Sequence, residues 1–145
     1  MYTLEKVCEE NLSCYSEYKT AFNTELHQYQ SRIYPSESAE KLCWYHIKVK
    51  DRYIGAAWLE KNPAETVAVL GIFIADRVFR NQGIGKSVIQ QIIAKDLPYM
   101  ETETAVLRVR AENHRAIACY ERCGFREKTR YRKGQLDVVE MIYKR

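Results

Sequence analysis

The chain has 145 residues, 46% hydrophobic and 29% charged, enough for one domain with a real core, which excludes global disorder. Its formal charge is +4, unevenly placed: residues 1–75 hold 8 Lys/Arg against 10 Asp/Glu, and residues 76–145 hold 15 against 9. An anionic partner is therefore expected in the second half.

Met1 to Lys6 has no basic stretch leading into an apolar one, so no secretory signal is expected. The longest apolar run, Val67 to Ala75, is about half the ~20 residues of a spanning helix, and no membrane partner is expected. Cys8, Cys14, Cys43, Cys119 and Cys123 are odd in number and contain no CxxC pair, which reads as reduced thiols of a cytoplasmic protein. His27, His46 and His114 are scattered without metal-ligand spacing, and no metal is expected.

Residues 2–7 read as a first strand. From Asn11 to Ile33 the apolar positions Leu12, Tyr15, Tyr18, Phe22, Leu26 and Tyr29 recur at three- and four-residue steps, a helical pattern long enough for two helices. Trp44 to Lys50 alternates, with Tyr45, Ile47 and Val49 on one face and Trp44, His46 and Lys48 on the other. A turn at Asp51-Arg52 leads to a partner strand, Tyr53 to Glu60, where Gly55 and Ala56 suggest a close backbone approach. After a turn at Lys61-Asn62-Pro63, Thr66 to Ala75 reads as a strand buried on both faces.

Ile84, Val88, Ile92 and Ile93 then form one stripe of a helix running from Gly83 to just before Pro98. Val106 to Arg110 is the next strand. Asn113 caps a further helix, and Gly124 closes it. Two last strands, Glu127–Arg132 and Leu136–Tyr143, flank a turn at Lys133-Gly134. This order predicts an α+β domain with a mixed sheet rather than regular βα alternation.

Between the buried strand and the amphipathic helix stands Arg80-Asn81-Gln82-Gly83-Ile84-Gly85-Lys86-Ser87. Glycines at a helix start turn the backbone tightly and leave several N–H groups pointing outward, a ready anion site, although a plain strand-to-helix turn can also need them. The dinucleotide fingerprint G-x-G-x-x-G fails at Val88. The P-loop G-x-x-x-x-G-K-[ST] fits Gly85-Lys86-Ser87, but Arg80 replaces its first glycine. The acetyl-CoA loop [Q/R]-x-x-G-x-[G/A] is matched in full by Arg80, Gly83 and Gly85.

With this loop, the segment Asn113-x-x-Ala116-x-x-x-Tyr120-x-x-x-Gly124-Phe125 and the Tyr53-Ile54-Gly55-Ala56 hairpin strand, the sequence resembles the GCN5-related N-acetyltransferases (GNAT). The resemblance covers nearly the whole chain and is most specific from Val67 to Phe125. It implies a single domain over residues 1–145, with a mixed, mostly antiparallel central sheet flanked by helices. It also implies acetyl-CoA as acetyl donor, direct transfer to a primary amine, and the homodimers common in that family.

The resemblance assigns roles residue by residue. Backbone N–H groups from Arg80, Asn81, Gln82, Gly83, Ile84, Gly85 and Lys86 hold the pyrophosphate, and the Arg80 and Lys86 side chains are either added charge or solvated loop residues. Backbone groups near Ile72 and Ile74 pair with pantetheine, and N–H groups near Phe73 hold the oxyanion. Asn113 contacts the cofactor besides capping its helix. Tyr120 takes the general-acid position; a phenol of pKa ~10 and a thiol of ~8.5 are close enough for proton transfer. Tyr29 and Tyr34 are the expected acceptor wall.

The strand before the loop, Val67 to Ile74, carries no acid to deprotonate an ammonium, so the base stays open among Glu60, Glu65, His46 and water. An acyl-cysteine route through Cys119 or Cys123 would need a partner such as His114, and buried structural cysteines are commoner. Arg130-Tyr131-Arg132-Lys133 reads as a solvated edge rather than a nucleic-acid surface. The rival readings are a CoA-binding sensor without turnover, which the missing acid favours, and an ATP-binding P-loop protein.

Overall fold

The computed structural model describes residues 1–20 and 32–145. Strand β1 (Tyr2–Lys6) is followed by a 3-10 turn at Leu12–Cys14 that runs into α1 (residues 15–20). The rest of the expected helical span, with Phe22, Leu26 and Tyr29, lies outside the described residues. Strands β2 (Lys41–Val49), β3 (Arg52–Lys61) and β4 (Ala68–Ile74) come next, then α2 (Ile84–Asp96), β5 (Thr104–Arg110), α3 (His114–Arg122), β6 (Arg126–Lys133) and β7 (Leu136–Lys144).

The strands form one seven-stranded sheet in the order β1-β2-β3-β4-β5-β7-β6, with only β4 and β5 parallel. The expected mixed, mostly antiparallel sheet is therefore present. Both tight turns sit one residue from their expected places. Val49 pairs with Arg52, so the first turn is Lys50-Asp51 rather than Asp51-Arg52. Lys50 adopts φ 55, and Arg52 joins the ladder, where its guanidinium lies 2.5 Å from Asp76. Lys133 pairs with Leu136, so the second turn is Gly134-Gln135, with Gly134 at φ 64.

One face of the sheet carries α2, which buries Ile84, Val88, Ile89, Ile92 and Ile93 against Tyr45, Ile47, Leu70 and Leu107. Burying each such side chain stabilises the fold by roughly 1.5–3 kcal/mol. The other face is aromatic: Tyr15 and Tyr18 of α1 pack with Ile33, Trp58 and Phe73, and Tyr34, Trp44 and Tyr53 close the cluster. Tyr15 stacks on Tyr34 with ring centroids 4.6 Å apart and accepts a 2.7 Å hydrogen bond from the Trp44 indole. The expected close approach at Gly55 is real, since a Cβ there would overlap the Phe73 carbonyl oxygen.

Strands β4 and β5 pair only at Ala68–Ala105 and Val69–Val106. Beyond Val69 the two strands separate, although β4 continues to Ile74 and β5 to Arg110. The sheet is thus split at its middle, and the split opens toward the loop that starts α2.

Candidate active site

Backbone direction along β4 follows from the ladder with β3. The Ala75 N–H donates to the Ile54 carbonyl at 2.8 Å, so residues 71, 73 and 75 turn their backbone groups toward β3. Ile72 and Ile74 alternate with them and direct theirs into the split. This is where the pantetheine track is expected. Phe73 sits in the ladder opposite Ala56, so of the N–H groups near it, where the oxyanion donors are expected, those that face the split belong to Ile72 and Ile74. The Ile74 carbonyl already accepts from Arg80 Nε at 2.9 Å. Arg80 therefore fastens the loop to the end of β4 rather than standing as a loose charge.

From β4 the chain passes Asp76, whose carboxylate accepts from the Val78 N–H at 3.1 Å and caps a 3-10 turn at Arg77–Phe79. Asn81 then takes φ 63, and Gln82 donates through Nε2 to the Val78 carbonyl at 2.7 Å. Gly83 is the N-cap of α2 at φ 81, a left-handed conformation that costs a residue with a Cβ roughly 1–2 kcal/mol. A glycine offers no capping side chain, so the first N–H groups of α2, on Ile84, Gly85 and Lys86, face outward with the helix dipole behind them. Gly85 is not demanded by its surroundings: a Cβ there would meet only Ile74 Cδ1 at 3.9 Å and Cys119 Sγ at 4.0 Å. Lys86 is exposed.

Helix α3 lies against this first turn. Asn113 caps it, its Oδ1 accepting from the Ala116 N–H at 3.3 Å. At the other end the Phe125 N–H bonds to the Tyr120 carbonyl at 3.0 Å and the Gly124 N–H to the Glu121 carbonyl at 3.1 Å, with Gly124 at φ 98. This is a Schellman motif, and its usual apolar contact is Tyr120 on Phe125, ring centroids 6.5 Å apart. Gly124-Phe125 therefore fixes Tyr120 in the last turn. Burial, aided by the neighbouring Cys119 and Cys123, raises the Tyr120 phenol above the ordinary tyrosine value, so it stays protonated. The Cys123 thiol donates to the Lys86 carbonyl at 3.7 Å, which joins α3 to the loop.

Three expected proton acceptors are sorted by the register. Glu65 precedes β4 and lies eight residues from Phe73, roughly 25 Å along an extended chain. Glu60 is 1% exposed, and its carboxylate is taken by Arg32 and by the Ser36 N–H at 2.6 Å. His46 instead shares one ladder row with Phe73, through Ala56. Its Nε2 lies 3.0 Å from the Asn11 carbonyl, which can only accept, so Nε2 carries the proton and Nδ1 accepts from Tyr18 Oη at 2.8 Å. Burial holds the imidazole below its usual pKa of 6.5 and keeps it neutral. Tyr18 in turn packs edge-on to Phe73, centroids 5.3 Å apart.

Tyr18, one of the aromatics at helical spacing, thus touches both the His46 imidazole and the Phe73 ring, a contact that spacing alone does not announce. Tyr34 does line the aromatic face, whereas Tyr29 lies outside the described residues. Among the described residues no cluster of His, Cys, Asp or Glu is arranged to hold a metal, and no helix is long and apolar enough to cross a membrane.

The family model for the acetyltransferase (GNAT) family matches residues 4–125. No curated protein matches the sequence. Among solved structures, a spermidine N-acetyltransferase from Vibrio cholerae bound to CoA and spermine superposes with a TM-score of 0.75 at 18% identity, over 99% of this chain and 95% of that one. Aminoglycoside acetyltransferase AAC(6')-Ib with coenzyme A and kanamycin gives 0.76 at 18% identity, over 100% and 95%. A dodecameric spermidine N-acetyltransferase from Vibrio cholerae gives 0.73 at 17% identity, over 99% and 93%.

Proposed function

Because the chain belongs to the acetyltransferase (GNAT) family, we propose that it transfers acetyl from acetyl-CoA directly to a primary amine. The observation that carries this reading is the split between β4 and β5, bounded by the uncapped first turn of α2 and by the last turn of α3. The residues fit a CoA thioester. The amides of Ile84, Gly85 and Lys86 suit its pyrophosphate, and a residue without a side chain at position 85 lets a phosphate come close to the backbone. The amides of Ile72 and Ile74 suit the pantetheine arm and the thioester carbonyl. Asn113, the cap of α3, contacts the cofactor in this reading.

In this reading the amine nitrogen bonds to the acetyl carbon, the carbon–sulfur bond breaks, and Tyr120 gives its proton to the departing thiolate. Of the candidates left open for the base, His46 shares the Phe73 row and is reached through the Tyr18 hydroxyl, and in this scheme it accepts the ammonium proton. The relatives with spermine and kanamycin bind polycationic amines, and the acidic first half of this chain suits an acceptor of that class. The dodecameric relative supports a homo-oligomer, and the five cysteines without CxxC pairing support a cytoplasmic location.

Release of CoA thiol across a panel of polyamines, aminoglycosides and amino-acid amides tests the reading. At least one amine should drive release, and Tyr120→Phe should lower kcat by about 10²–10⁴-fold with the KM for acetyl-CoA nearly unchanged. CoA binding without release on any amine would instead mark a sensor.

A further inference from the structure

Cys119 and Cys123 stand one turn apart at the end of α3, and both are half-buried rather than sealed in the core. Both point at the glycine loop. Cys119 Sγ lies 4.0 Å from the Cβ position of Gly85, whose other near neighbour is Ile74 Cδ1, so this sulfur sits where the loop meets the end of β4. Cys123 Sγ lies 3.7 Å from the Lys86 carbonyl oxygen. The single S–H of Cys123 is given to the Lys86 carbonyl, and Cys119 stands one helical turn before it. The neighbouring Cys123 foremost, then the Arg122 and Lys86 cations, lowers the Cys119 thiol below its ordinary value, and Cys123 is raised by Cys119 and by burial.

We propose that Cys119 and Cys123 form an oxidisable dithiol on the wall of the cofactor groove, which a peroxide converts into a disulfide that loosens the groove's hold on CoA. The chemistry balances in two steps. The Cys119 thiolate attacks the peroxide oxygen; an S–O bond forms, the O–O bond breaks, and hydroxide leaves to take up a proton as water. The Cys123 thiol then attacks the sulfenic sulfur; an S–S bond forms, the S–O bond breaks, and the thiol proton departs with the oxygen as a second water. The two thiols lose two electrons, and the peroxide gains them.

The last turn of α3 is suited to this closure. Residues four apart on a helix have Cβ atoms about 5–6 Å apart, against about 3.5–4.5 Å in a disulfide, so the turn must draw in by about 1–2 Å. It is already tightened: the Cys123 N–H donates to both the Cys119 carbonyl at 3.2 Å and the Tyr120 carbonyl at 3.0 Å. Closure pulls Cys123 from the Lys86 carbonyl and strains the turn that holds Tyr120.

The effect on CoA rests on the proposed function; the disulfide does not. Purified chain is treated with hydrogen peroxide, digested and mapped by mass spectrometry without reduction, and CoA binding is titrated before and after. A peptide linking Cys119 to Cys123, with loss of two hydrogen masses, is expected. CoA should bind about tenfold more weakly in the oxidised form, a typical coupling between two sites, and recover with dithiothreitol. Cys123→Ala should leave a sulfenic acid on Cys119 that a 1,3-dione probe labels, and Cys119→Ala should leave Cys123 unlabelled. Both thiols still alkylated by iodoacetamide after peroxide would overturn the proposal. A linked pair with unchanged CoA affinity would overturn its gating half. Reduced protein that ignores CoA would instead defeat the proposed function, while the linked peptide alone decides the dithiol.

Discussion

Two glycines on neighbouring parts of the groove respond oppositely to the same added methyl. At Gly71 a Cβ would overlap the indole of Trp58, a residue only 1% exposed, so the methyl must displace a core side chain. At Gly85 the nearest atoms stand 3.9 Å and 4.0 Å away, and the site is inside a helix, where Ala is favoured over Gly by about 1 kcal/mol. Gly71→Ala should therefore destabilise the fold by about 1–3 kcal/mol in urea unfolding. Gly85→Ala should leave the urea midpoint equal or higher, yet raise the KM for acetyl-CoA, because in the proposed reading the added methyl stands where a phosphate nears the backbone. A Gly85→Ala enzyme with unchanged KM would remove the phosphate from that position.

At the scale of elements, β1 is tied to the chain around it by one carboxylate. Glu5 accepts from Asn11 Nδ2 at 2.8 Å, Tyr53 Oη at 2.8 Å and Lys48 Nζ at 3.1 Å. The Tyr53 hydrogen bond foremost, then those from Asn11 and Lys48, lowers its pKa from 4.5 to about 2. A depressed folded-state pKa contributes stability that is complete above 4.5 and is lost as pH falls toward 2. His46 next to it in the same row has a pKa pulled below 6.5, so its contribution starts to fall as pH drops under 6.5. Tm should thus decline on acidification in two stages, and Glu5→Gln should flatten the lower stage while leaving the upper one. Tm profiles of both proteins from pH 7 to 2 check this; an unchanged lower stage in Glu5→Gln would assign it to other carboxylates.

The order of elements was legible because hydrophobic period, caps and glycines agreed in each: the α2 stripe, the Asn113 cap and the Gly124 closure all stand where the sequence placed them. The first turn slipped by one residue because a lysine at φ 55 carries no sequence signal for a left-handed position. The loop was legible as a glycine-led helix start with uncapped N–H groups, since the glycines have a local cause. What escaped was relational. Whether an amide of β4 faces its partner or the split depends on ladder parity with β3, and the Glu5–His46–Phe73 row joins four strands. Arg80 looked like spare charge because its partner is a backbone carbonyl, which no residue type announces.

At the scale of the whole molecule, the two-pair joint between β4 and β5 divides the chain by sequence as well as in space. Strands β1 to β4 pair consecutively within residues 2–74, and β5, β7 and β6 pair within residues 104–144. Each half is therefore assembled from antiparallel neighbours, while the parallel joint must wait for the chain of α2 to close a loop of more than thirty residues. Such a joint forms late on the folding path. A truncation there, Val106→Ala, should speed unfolding far more than it slows refolding in a urea chevron, whereas Ile47→Val, inside the first half, should move the refolding limb. Equal shifts of both limbs for the two variants would mean that the halves form together. On this expectation the seam between β4 and β5 is the last to close as the chain folds and the first to part as it unfolds.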